Sequence, residues 1–130
     1  MADNYVARQY KQTAIKTSNR CQILLMLYEA AIQYVKKAVI AIEKRDLEAK
    51  GVAIGKAHDI INELINTLDF NVGGNIAQDL DRLYNFMVEQ LIKANLENTK
   101  EPLLVIQKLL ETLLDGWKGA IDQVSKGAAK

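Results

Sequence analysis

The scarcity of helix breakers constrains this chain more than any other feature. Its one proline is Pro102, and its glycines stand at 51 and 55, 73 and 74, 116 and 119, and 127, which leaves long uninterrupted stretches between them. Such stretches read as helices, and strand signals are absent. The first helix is expected from Asn19, as N-cap, to Lys44, where the charge cluster "EKRDLEAKG" begins to close it. Asp46 caps a second helix reaching Leu68. "DFNVGG" reads as a turn, with Asn75 capping a third helix to about Leu96. "ENTKEP" is the last turn: Thr99 suits an N-cap, and Pro102 falls in a first helical turn, where its missing N–H costs little. The fourth helix continues through Trp117 to about Val124. The expected organisation is an N-terminal arm or short cap helix over residues 1–18, a bundle over 19–125 and a frayed tail over 126–130.

Apolar spacing decides how the helices pack. At about 100° per residue, Ile54, Ala57, Ile61, Leu64, Ile65 and Leu68 share one face of the second helix. Ile76, Leu80, Leu83, Tyr84, Met87 and Leu91 do so on the third, and Ile106, Leu110, Leu113, Trp117, Ile121 and Val124 on the fourth. Amphipathic helices with short connections imply an all-α, antiparallel four-helix bundle. The first helix differs. Leu24, Leu27, Tyr28, Ala31, Tyr34, Val35, Ala38 and Ile42 form a core stripe, while Leu25, Ile32 and Val39 widen it until the apolar arc covers more than half the circumference. Either that helix is packed on two sides, or part of it is reserved for another chain.

Chemistry is sparse. The 17 basic and 16 acidic residues are interspersed and leave a net charge of +1, so nothing marks a nucleic-acid surface; only residues 1–20, with Arg8, Lys11, Lys16 and Arg20 against Asp3, lean basic. The single cysteine, Cys21, excludes an internal disulfide and suits a reducing compartment. The N-terminus lacks a secretory core, and "ILLMLY" is far short of the ~20 residues that span a bilayer, so a cytoplasmic protein without membrane insertion is expected. His58, the one histidine, sits at the polar edge of its helix beside Asp59, a poor setting for phosphotransfer, and has no second histidine to share a metal. Asp79 and Asp81 point about 200° apart on a helix and cannot share a site. "GG" at 73 and 74 lacks the preceding strand and the Lys-Ser/Thr of a phosphate loop. No catalytic, metal or cofactor constellation emerges.

"LLMLYEAAI", "KAHDIINELINTLD", "GGNIAQDLDRLYNFMVEQLIKANLEN" and "LLDGWKGAI" follow one another at the separations found in the flagellar secretion chaperones, and the chain from Tyr10 to about Ile121 resembles that family, FliS. Asn19-Arg20 and Glu29-Ala30 stand where the family usually has Ser-Pro and Asp-Gly. The resemblance implies a cytoplasmic helical bundle that binds the disordered C-terminal segment of flagellin, prevents its premature polymerisation and presents it to a flagellar export gate component. It also implies a mobile N-terminal arm carrying a tyrosine, matched by Tyr10.

A disordered client loses chain entropy on binding, so it needs a long apolar track. The residues expected to contact the partner are Tyr10, Leu25, Tyr28, Ile32, Val39, Ile60, Leu64, Phe86 and Ile92. Ile32, about 80° from the centre of the first helix's stripe, is expected to line a groove and to tolerate a charge, whereas Leu27→Asp unfolds the bundle. The rival reading is a helical homodimer formed without client, because a symmetric interface also needs exposed apolar area.

Overall fold

The computed structural model describes residues 17–129, with side chains over 19–124. Four helices make up these residues: α1 (Thr17–Glu43), α2 (Leu47–Asn66), α3 (Phe70–Glu97) and α4 (Glu101–Ala129). Links of only three residues leave no room for a crossover, so successive helices run antiparallel. Each helix packs on its neighbours in sequence, and α4 closes the ring against α1. The all-α bundle expected from periodicity is the fold.

Local chemistry explains most of the boundaries. Asp46 caps α2 as expected, its Oδ1 accepting the Ala49 N–H at 3.0 Å. At the other end the Thr67 hydroxyl donates to the Leu64 carbonyl at 2.6 Å and terminates the helix just before Leu68. Pro102 is the second residue of α4, where no intrahelical donor is needed. Asn98 ends α3 in the left-handed region, at φ 55° and ψ 41°, a conformation asparagine tolerates better than most residues.

Three boundaries differ from the sequence reading. α1 begins by Thr17, so Asn19 lies inside it and is not its cap. "DFNVGG" is helical: Asp69 caps it by accepting from the Asn71 and Val72 N–H groups at 3.0 and 3.2 Å, and the Gly73 N–H returns to the Asp69 carbonyl. The break falls at Gly74 alone, with φ 53° and ψ −124°, a conformation open to glycine because it has no Cβ. α4 runs past its expected end near Val124 to Ala129, since Gly127 by itself costs only about 1 kcal/mol of helix propensity.

The core is one cluster running the length of the ring. Tyr28, Ala31, Ile32, Val35 and Ala38 of α1 meet Ala53, Ile54, Ala57, Ile61 and Leu64 of α2, with Leu80, Tyr84, Met87, Leu91 and Ala94 of α3 opposite. Leu103, Ile106, Leu110 and Leu114 of α4 complete it. Ile76 and Val124, placed on core faces by periodicity, are instead exposed, Ile76 at 66%. Both lie at the end where α3 begins and α4 finishes.

Candidate partner-binding surface

The wide arc of α1 is packed on two sides. Leu25, Ile32 and Val39 stand seven residues apart and form one line along α1. Ion pairs from Glu29 to Lys118 at 3.9 Å and from Glu43 to Lys100 at 2.8 Å mark the α1–α4 seam beside it. Ile32 is only 6% exposed and belongs to the core, while Leu25 and Val39 are half-buried against it. The expectation that Ile32 lines a groove and tolerates a charge is therefore corrected: closure of α4 on α1 covers it.

Tyr28 and Leu64 are fully buried and offer the free protein's surface nothing. Tyr10 lies outside the described residues. Ile60 is half-buried, and Phe86 and Ile92 are exposed, but these three do not make one track. Phe86 and Ile92 are six residues apart, about 120° around α3. Phe86 lies on the side of Gln90 and Glu97, which border α4, and Ile92 on the side of Asn95, whose carbonyl accepts from Lys50 of α2. Ile60 stands two turns beyond Ala53, on the side of α2 facing α1.

An apolar concavity lies elsewhere, at the end of the bundle where α1 and α3 begin. It is a cleft of about 530 Å³. Ile23, Leu24 and Leu27 form its α1 wall and Ile76, Leu80 and Tyr84 its α3 wall; Leu68 and Val72 from the α2–α3 junction and Trp117 from α4 close it. Arg20 is its cation and Asp69 its carboxylate. Sequence reasoning missed it because Ile76 was counted as core and Val72 as turn. Ile23, apolar yet outside the α1 stripe, was the one signal that pointed here.

Beneath the cleft, Tyr28 of α1 and Tyr84 of α3 meet across the ring, hydroxyl to hydroxyl at 2.5 Å, with the rings edge-on and 6.4 Å apart. Burial raises the pKa of both phenols. The contact with Tyr28 pushes Tyr84 further up, while Tyr84 and the neighbouring Trp117 indole partly offset the rise at Tyr28. The Trp117 Nε1 is buried and lies near this pair without closing a hydrogen bond.

Two acidic side chains of α3 are held by neighbours on their own helix. Asp79 pairs with Arg82, and Asp81 accepts from the Asn85 amide at 3.2 Å. Among the described residues no cluster of three His, Cys, Asp or Glu side chains could hold a metal ion, and no helix is long and apolar enough to cross a membrane.

A helical bundle with an open apolar cleft and exposed apolar side chains on several faces is the architecture of a protein-binding module. The chain belongs to the FliS family: residues 1–124 match the family described as flagellar protein FliS. It is 34% identical over 116 residues to the flagellar secretion chaperone FliSB of Pseudomonas aeruginosa, covering 86% of this chain and 92% of that one. It is 31% identical over 117 residues to flagellar secretion chaperone FliS of Bacillus subtilis (90% and 86% covered), and 34% over 108 residues to that of Salmonella typhimurium (82% and 80%). A crystal structure of a bacterial flagellar chaperone superposes with a TM-score of 0.77 over 93% of this chain and 98% of that one, at 23% identity, which establishes the shared fold.

Proposed function

We propose that this protein is a cytoplasmic export chaperone that holds the disordered C-terminal segment of flagellin, keeps it from polymerising early and delivers it to the flagellar export apparatus. The observation that carries the reading is the family match over nearly the whole chain, with relatives named as flagellar secretion chaperones. The physics of the surface supports it. A segment that orders as it binds needs apolar area to offset its entropy loss, and Ile23, Met26, Val72, Ile76, Phe86 and Ile92 are apolar side chains left exposed by a bundle that has already filled its core. The role is binding and release, with no bond made or broken.

Isothermal calorimetry with a peptide covering the C-terminal tail of the cognate flagellin tests this. The expected result is one-to-one binding with a gain of helix by circular dichroism and a complex mass of one chaperone plus one peptide. Absence of both heat and mass shift at tens of micromolar refutes it.

A further inference from the structure

We propose that the opening turn of α3, Phe70–Gly73, is a hinged flap that pivots at Gly74 between its bent position and one continuous with the rest of α3. The motion is a property of the fold and does not depend on the export-chaperone reading.

The two glycines at the bend are needed for different reasons. At φ 53° and ψ −124° Gly74 sits in the mirror image of the β region, which L side chains avoid, yet a Cβ added there would meet no atom within 4 Å. Its need is conformational. Gly73 is the opposite case: its backbone is helical, but a Cβ there would stand 2.9 Å from the Ala77 Cβ, too close for two carbons. In a straight helix every φ is negative, and residues four apart hold their Cβ atoms about 5–6 Å from each other. A straight α3 would therefore accept a side chain at both positions. Only the bent form requires the glycine pair.

Little fastens the turn to the bundle. The Asp69 side chain accepts the Asn71 and Val72 N–H groups and its carbonyl accepts that of Gly73 at 2.7 Å, so the turn is tied to its own cap. None of residues 69–76 is buried by the described residues, and the nearest buried side chains on either side are Leu64 and Ala77. A segment with so few buried contacts opens at low cost in free energy. Glycine takes helical φ values as readily as positive ones, so Gly74 absorbs the change in φ and ψ as a hinge residue does. When the flap swings, Val72 and Gly73 move against Trp117, which lines the same cleft. The cleft then changes shape while the core stays as it is.

The test uses the full chain with Gly73→Ala, Gly74→Ala and the double variant, read by urea midpoint, backbone amide exchange and the emission of Trp117, the protein's only tryptophan. Gly74→Ala disfavours the bend through φ, and Gly73→Ala does so through contact with Ala77. A flap with a straight alternative goes to the same place in both. All three variants should fold, shift the Trp117 emission in the same direction, and exchange the amides of residues 74–77 at least about tenfold more slowly than the parent, because the helix is then continuous through them. The double variant should lose no more urea midpoint than the worse single one, since either alanine already selects the straight form. If instead the midpoint losses add while emission and exchange stay parental, the bend is fixed and there is no flap. Failure of Gly74→Ala to fold overturns the flap as well, because a straight α3 would then be out of reach.

Discussion

The two ends of the bundle are built on opposite plans. Where α1 and α3 finish, polar contacts tie the helices together. The buried Lys50 of α2 donates to the Asn95 carbonyl at 3.0 Å and to the Asn98 side chain, pinning the end of α3, and Lys100 bridges to Glu43. Pro102 and Leu103 are buried in the same region. Where α1 and α3 begin, the corresponding turns carry Ile23, Val72 and Ile76 into the open, and Arg20 pairs with no carboxylate among the described residues. Burial is what makes Lys50 matter: a hydrogen bond from a charged donor is worth about 1.5 to 3 kcal/mol where water cannot replace it. The difference teaches that this fold puts its polar fastening at one end and its apolar cleft at the other.

Variants can break that contrast, beginning with the core on which both ends depend. Ile32→Asp buries an unpaired carboxylate at a cost of several kcal/mol, against a total stability of about 5 to 15 kcal/mol. The expected outcome is loss of the cooperative thermal transition by circular dichroism; a folded protein with a near-parental Tm would put Ile32 back in a groove. Lys50→Met unfastens the closed end. It should cost about 1.5 to 3 kcal/mol and lower Tm by roughly 5–15 °C while leaving flagellin-tail affinity unchanged in calorimetry. If affinity falls with stability, the two ends are not separate in function.

Below the open end, Tyr84→Phe removes one hydroxyl of the buried pair and should cost about 1 kcal/mol by urea titration. Adding Tyr28→Phe should cost less than the sum of the two single changes, because each hydroxyl is the other's partner. The same pair predicts an alkaline limit. Both phenols have folded pKa values above the ordinary 10.0, so their contribution is complete below pH 10 and is lost as pH rises beyond it toward the folded values. Stability measured by urea midpoint should fall from about pH 10 upward, and the double phenylalanine variant should lose less over that range. The smallest effect belongs to Lys100→Met. Its ion pair with Glu43 raises the lysine pKa through the hydrogen bond but is open to solvent, so no measurable change in Tm is expected.

What the sequence determined by itself was local. Uninterrupted stretches of 3.6-residue periodicity fixed four helices and the face each turns inward, because a side chain's angle about its own axis depends only on spacing. Asp46 was legible as a cap for the same reason: its acceptor and the Ala49 N–H are three residues apart. The family motifs, being strings of residues, were also legible. Spacing carries no information on which neighbour lies across an interface or how far one helix outruns another. Hence Ile32 was mistaken for groove, since only the return of α4 onto α1 buries it, and Ile76 was mistaken for core, since its side of α3 opens onto the cleft. Phe86, Ile92 and Ile60, each expected to contact the partner, stand beside three different grooves of the ring of helices. The cleft at the open end exists in no single helix; it is formed by residues as distant in sequence as Ile23, Val72 and Trp117, and tertiary packing alone brings them together.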